Sequence, residues 1–321
     1  MRRAVQVAIG LACLLAVMPA AAPAGARRHR ARHAQARVIP GVSEYGCPIL
    51  PEDNTLNQEV TGLPASPLSR QYLESIGLEA HLHPDFGNNP SYGIPYEVVG
   101  PEQPEVPVKF TKYKSESDPG PYPIPSGAAI EGGGKKGRGD KHVLVLQEGT
   151  CTLYELYKAA RKGAGWTAAS GAVFNLRSDA LRPEGWTSAD AAGLPIFPLL
   201  ARYPEVQAGA IDHALRVTVP ASQRGYIHPA THFASSSTNP DLPPMGLRLR
   251  LKADYPTSGY KGQALIVLEA LKRYGLIVAD NGSPWYITGA PSSGWNEEQL
   301  NELKQVPGSA FEALETGPIV H

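Results

Sequence analysis

The chain has 321 residues, with 30 Lys and Arg against 30 Asp and Glu, so its formal net charge is zero. That balance excludes the global positive field on which non-specific nucleic-acid binding depends, and no nucleic-acid partner is expected. Glycine and proline, 33 and 31 residues, make up about a fifth of the chain, above the usual level of about 12%, which points to many turns and short strands.

Met1-Arg2-Arg3, the apolar run 4–18 and Ala24-Gly25-Ala26 form the three parts of a secretory signal peptide, with cleavage expected near Ala26. Residues 1–26 are therefore read as a signal peptide and the mature protein as secreted or periplasmic. Cys13 lies inside the apolar run, where a lipoprotein cysteine does not stand, and Arg2-Arg3 lacks the flanks of a twin-arginine signal. Residues 27–37, with Arg27, Arg28, His29, Arg30, Arg32, His33 and Arg37, read as a basic disordered arm. No later stretch reaches the roughly 18 apolar residues of a membrane span. Residues 38–321 are left as a single β-rich globular domain. Cys47 and Cys151 remain after cleavage, and an oxidising compartment allows them to pair; the alternative is one buried and one mobile thiol.

Ser66 as cap, Pro67 at the first helical position and Leu68, Tyr72, Leu73 and Ile76 on one face predict a short helix that Gly77 ends. His81-Leu82-His83-Pro84-Asp85-Phe86-Gly87 follows, then strands near 94–99 and 106–113, a proline-rich segment at 117–125 and a glycine- and lysine-rich loop at 132–139. A hairpin is expected over 143–146 and 151–157, and its first arm, apolar on both faces, belongs in the middle of a sheet. Another strand, 172–176, follows a turn region at 163–171, and 186–198 is irregular. Residues 211–219 and 246–252 alternate as half-buried strands, the second with Leu247, Leu249 and Leu251 on one face and Arg248, Arg250 and Lys252 on the other. A helix over 262–274, stopped by Gly275, feeds the run 276–279, a turn at Asp280-Asn281-Gly282 and a return strand 285–288. Asn296 with Gln299 caps a last helix. Strands outnumber helices without βαβ alternation, so the expected fold is a single antiparallel β-sandwich or jelly-roll-like domain with a few short packed helices, β-rich α+β in class.

The connection 221–245 is long for a compact domain, which marks it as functional or disordered. Its buriable rings, Tyr226, His228, His232 and Phe233, and its polar run Ser235-Ser236-Ser237-Thr238-Asn239 favour a loop that lines a site. Asp85, Glu131, Asp140, Asp190 and Asp280 sit in loops or at strand ends, and two carboxyls about 5–10 Å apart are what glycosidic hydrolysis requires. A uronate lyase would instead need a His or Tyr base and an Arg or Asn to neutralise the sugar carboxylate, types that Arg224, Tyr226, His228 and Asn239 supply. The favoured catalytic pair is His228, held between Tyr226-Ile227 and Pro229, and Asp280, which ends an apolar run where desolvation raises a carboxyl pKa; Asp85 or His83 is the third partner. Binding candidates are Tyr226, His232, Trp285, Trp186, Arg224 and Asn239, each tryptophan being weighed against core packing. His81 and His83, two apart and followed by Asp85, resemble the opening of a metallo-hydrolase site, but Phe86 stands where a further histidine belongs. No cofactor is expected, and His81 and His83 are the nearest candidates for a divalent metal. These features predict an exported carbohydrate-active enzyme that cleaves a polysaccharide or oligosaccharide, as hydrolase or uronate lyase. The alternatives are a non-catalytic sugar-binding protein and a structural cell-envelope protein.

The blocks Ser117-Asp118-Pro119-Gly120-Pro121-Tyr122-Pro123-Ile124-Pro125, Gly185-Trp186-Thr187-Ser188-Ala189-Asp190-Ala191-Ala192-Gly193-Leu194-Pro195-Ile196, the stretch from Pro243 to Lys252 and Ala279-Asp280-Asn281-Gly282-Ser283 resemble a family of exported bacterial proteins. The resemblance spans most of residues 54–314. It implies one continuous domain and carries no catalytic assignment with it.

Overall fold

A computed structural model describes residues 43–134 and 139–321, so the signal peptide 1–26, the arm 27–37 and part of the 132–139 loop lie outside the described residues. In chain order, the strands of the two larger sheets are β1 (His83–Asp85), β2 (Tyr96–Val99), β3 (Val143–Gln147), β4 (Thr152–Tyr157), β5 (Ser170–Asn175), β6 (Leu215–Val219), β7 (Arg248–Leu251), β8 (Leu276–Asn281), β9 (Tyr286–Thr288) and β10 (Phe311–Ala313). Among the described residues the α-helices are α1 (Ser69–Ile76), α2 (Tyr203–Ala208), α3 (Gly262–Arg273) and α4 (Glu297–Glu302). The central sheet runs β10-β7-β8-β6-β9-β1 and the second β5-β4-β3-β2. A smaller sheet joins Val108–Phe110, Gly165–Ala168 and Ala160–Lys162, part of which lies in the expected turn region, and a short ladder joins Ser43–Glu44 to Cys47–Pro48.

The protein is strand-rich with few helices, as expected, but its sheets are mixed and not purely antiparallel. β6 with β8, β9 with β1, β2 with β3 and Val108–Phe110 with Gly165–Ala168 all run parallel. The reason lies after Asp280. The chain does not fold back on β8 as a hairpin; it passes β6, and β9 pairs with the far edge of that strand. β6 and β8 can be parallel neighbours because the connection between them holds β7 and α3, long enough to carry the chain back to its starting end.

Apolar periodicity explains the layers. Val143, Leu144, Val145 and Leu146 of β3 are fully buried between β2 and β4. Leu144 and Leu146 join the main core, while Val143 and Val145 pack with Tyr122, Ile124 and Trp166 in a second. Helix α3 buries Ala264, Val267, Leu268 and Leu271 in the main core; each larger side chain contributes about 1.5–3 kcal/mol when fully buried. Gly275 ends that helix at φ +72°, where a Cβ would stand 2.3 Å from the Leu249 carbonyl oxygen, so glycine is required twice over. The basic face expected on β7 is not open to solvent. Segment 55–63 covers it, and its carbonyls take the guanidinium groups: Arg248 donates to Thr55 O at 3.0 Å, and Arg250 to Leu63 O at 3.2 Å and to Glu312 of β10 at 2.8 Å. Cys47 and Cys151, both fully buried, are joined by a disulfide across 104 positions.

Candidate active site on the central sheet

Register alone gathers polar side chains on one face of β1, β9, β6 and β8, because cross-strand partners share a face and so do residues two apart in a strand. His83 pairs with Tyr286, Tyr286 with Thr218, and Thr218 with Asp280. One step along, Asp85 pairs with Thr288, and Arg216 Nη1 donates to Thr288 Oγ1 at 2.9 Å. Asp280 reaches this face through a bulge. Val217 pairs with Val278 but Thr218 with Asp280, so Ala279 is the extra residue that turns the aspartate to the side bearing Arg216.

Arg216 is the hub. Its side chain is only 5% exposed, and Nη2 donates a hydrogen bond to Asp190 Oδ1. Asp190 comes from the irregular segment 186–198 and is fixed by its own turn: its N–H donates to Ser188 Oγ at 2.8 Å, and its carbonyl accepts Thr187 Oγ1 at 3.0 Å and the N–H of Gly193 at 3.1 Å. Asp190 Oδ2 and Arg216 Nε are both buried without a hydrogen-bond partner among the described residues. A buried carboxylate oxygen in that condition costs about 1–3 kcal/mol, which a ligand group can recover.

His142, buried beside β3, lies with Nδ1 2.8 Å from Glu131 Oε2 and Nε2 3.1 Å from the Ala189 carbonyl oxygen. Both ring nitrogens therefore face acceptors, and the ring satisfies both only as imidazolium. Burial pushes the His142 pKa down, but the Glu131 charge outweighs it and leaves it raised. Burial likewise pushes Glu131 up, and His142 outweighs it and holds the carboxyl below its ordinary value. The ion pair thus pins the residue next to Asp190.

The remaining acids behave differently. Burial, reinforced by the charge of Asp190, raises Asp280 to about 6 against the pull of Arg216 and the Asn281 N–H. Burial also raises Asp85, partly offset by the Tyr92 hydroxyl. Burial and then the charge of Lys304 lower the pKa of His83, whose ring stacks on Tyr286 at 4.0 Å and 14° and lies 2.9 Å from the Tyr92 hydroxyl. Asp190 is raised by burial and pulled back by Arg216.

Behind the cluster, Glu155 of β4 accepts the N–H groups of Ile196 and Phe197, each at 2.9 Å, and burial raises it from 4.5 to about 7. A folded pKa above the unfolded one means that the protonated form stabilises the fold: the contribution is complete below pH 4.5 and is lost as pH rises through about 7. A shift of that size corresponds to on the order of 3 kcal/mol. Between pH 5 and pH 8, urea unfolding should show a loss of stability in the parent that Glu155→Gln largely removes. Equal pH slopes for the two proteins would contradict this account of Glu155.

The structure thus brings together His83, Asp85 and Asp280, and also Glu131 and Asp190 from the wider set of loop carboxylates. His228 is engaged elsewhere: it is half-exposed, its Nε2 lies 2.7 Å from Glu184 Oε1, and the buried Tyr226 donates its hydroxyl to the other oxygen of the same carboxylate. Trp285 is a core residue, fully buried, stacked on Phe311 and donating Nε1–H to Gly77 O at 2.8 Å. Trp186 is half-buried with the Arg182 guanidinium 5.7 Å from its ring, and Asn239 is exposed, accepting the Asp241 N–H at 3.1 Å. His232 and Arg224 lie along the long loop, as described below. Asp140 faces Lys158 at 3.3 Å on the surface. His81 is exposed, and no group of three or more His, Cys, Asp or Glu side chains arranged to hold a metal occurs among the described residues. Arg216, His142, Tyr92 and Thr288 are members that sequence reasoning missed; the one available signal was a lone cation inside the apolar run Leu215–Val219. Comparison with protein-family models, curated proteins and solved structures finds no match to the chain.

Proposed function

We propose that the protein is an exported carbohydrate-active enzyme that hydrolyses glycosidic bonds of a polysaccharide or oligosaccharide, with Asp280 as general acid and Asp190 as the second carboxylate. The observation that carries this reading is the asymmetry of the pair. Burial raises both carboxyls, but Asp190 is ion-paired to Arg216, a contact that favours its charged form, while Asp280 is raised to about 6 without such a contact and is the member suited to carry the proton below that pH. In the reaction, Asp280 gives its proton to the glycosidic oxygen as the bond to the anomeric carbon breaks. Asp190 stabilises the positive charge that develops there; water then adds its hydroxyl to that carbon and gives its remaining proton to the Asp280 carboxylate, which restores the acid. Oδ2 is the oxygen of Asp190 left for this role: it is buried and has no hydrogen-bond partner among the described residues, while Oδ1 is occupied by Arg216. Export is supported by the signal-like first 26 residues and by the buried disulfide.

The test is incubation of the purified protein with a panel of β-linked and uronate-containing glycans, followed by reducing-end assay and mass spectrometry. Hydrolysis predicts new reducing ends and a gain of one water per cleavage. An unsaturated product without that gain would replace hydrolysis by elimination, and intact glycans throughout would refute the reading.

A further inference from the structure

One strip of the 221–245 loop is fastened directly beside the two carboxylates. His232 Nδ1 donates to Ala191 O at 2.7 Å, and Asn281 Nδ2 donates to Ala234 O at 3.5 Å. Ala191 follows Asp190 and Asn281 follows Asp280, so residues 232–234 are tied one position from each acid. Thr231 adds a third tie, its N–H donating to Ala192 O at 3.0 Å.

The strip presents rings and a cation. The half-buried His232 and Phe233 rings are nearly parallel, 8° apart with centroids at 5.9 Å, and the Arg224 guanidinium lies 5.7 Å from the Phe233 centroid. His232 spends Nδ1 on Ala191, leaving Nε2 without a hydrogen-bond partner among the described residues. The backbone of Arg224 is held at both ends: its N–H donates to Ser237 O at 2.6 Å, and its carbonyl accepts His321 Nδ1 at 2.8 Å. Its exposed guanidinium has no carboxylate partner among the described residues. Glu184, the acid joined to this loop, has one oxygen taken by Tyr226 and the other by His228. A positioned and uncompensated guanidinium beside aromatic faces matches a sugar ring that carries a carboxylate, since the guanidinium fork fits that group and the ring face fits the pyranose.

We propose that Arg224, His232 and Phe233 form a subsite for a uronate residue of the glycan, next to the bond cleaved between Asp190 and Asp280; this rests on the hydrolase reading above. Binding is measured by calorimetry with a uronate oligosaccharide and a neutral oligosaccharide of the same linkage, in the Asp280→Asn protein so that cleavage is slow on the timescale of the titration. The uronate ligand should bind at least about tenfold more tightly than the neutral one, as expected for a hydrogen bond between charged groups. Adding Arg224→Gln should abolish that preference, Arg224→Lys should restore part of it, and raised salt should weaken the uronate ligand alone. Equal affinities for the two ligands, binding of neither, or an undiminished preference in Arg224→Gln would overturn the subsite. Turnover by the unmodified protein separates the two claims. A uronate preference without cleavage leaves the subsite standing and removes the hydrolase, whereas cleavage with no effect of Arg224→Gln on binding does the reverse.

Discussion

Asp280→Asn should lower turnover of a cleaved glycan by about 10²–10⁴-fold, the range removed with a general acid, and leave the protein folded. The carboxyl is half-buried and desolvated in the company of Asp190, so an amide of the same shape relieves that cost while its oxygen still accepts the Asn281 N–H. Asp190→Asn is the informative contrast. That change breaks a buried ion pair with Arg216, and leaving one buried charge unpaired costs on the order of 3–5 kcal/mol. Lost activity with an unchanged melting temperature is therefore expected at position 280, and lost activity with lost stability at position 190. An Asp280→Asn protein that retains its turnover would remove Asp280 from the chemistry.

The largest expected effect on stability comes from Cys151→Ser. The disulfide to Cys47 closes a loop of 104 positions, and in the chain-entropy model a loop of that size is worth about 4.7 kcal/mol. That is a large part of the 5–15 kcal/mol typical of a folded protein. Urea titration should show a midpoint lowered accordingly, and the unmodified protein titrated under reducing conditions should shift by a similar amount. A change below about 1 kcal/mol in both experiments would mean that packing alone fixes the Cys47 segment, against the loop-closure account.

Where local periodicity decides a structure, residues alone sufficed. The 3.6-residue apolar stripe of α3, the β3–β4 hairpin and the Asn296 cap, whose side chain accepts the Gln299 N–H, all appear close to their expected bounds. Long-range pairing did not announce itself. The Asp280-Asn281-Gly282 sequence has strong turn chemistry, but that chemistry does not specify which strand receives β9, and it is β6. Asp280 was legible as an acid at the end of an apolar run. The bulge at Ala279 that turns it toward Arg216 was not, because a bulge is a property of two paired strands. Arg216 reads locally as the solvent-facing member of an alternating strand, and only the arrival of Asp190 from 26 positions away makes it a buried hub. The stiff neighbours of His228 are a local feature, while its partner Glu184 lies 44 positions earlier, beyond any local signal.

The central claim is that Asp280 works as the proton-carrying member of a carboxylate pair, and the pH dependence of kcat/KM on a cleaved glycan tests it most directly. With Asp280 at about 6, the unmodified protein should lose activity as pH rises through that value, because the free enzyme's acid is then deprotonated. The residual activity of Asp280→Asn should lack that descending limb. A descending limb near pH 6 that persists unchanged in Asp280→Asn, or a profile of the unmodified protein that stays flat from pH 5 to pH 8, would contradict the assignment.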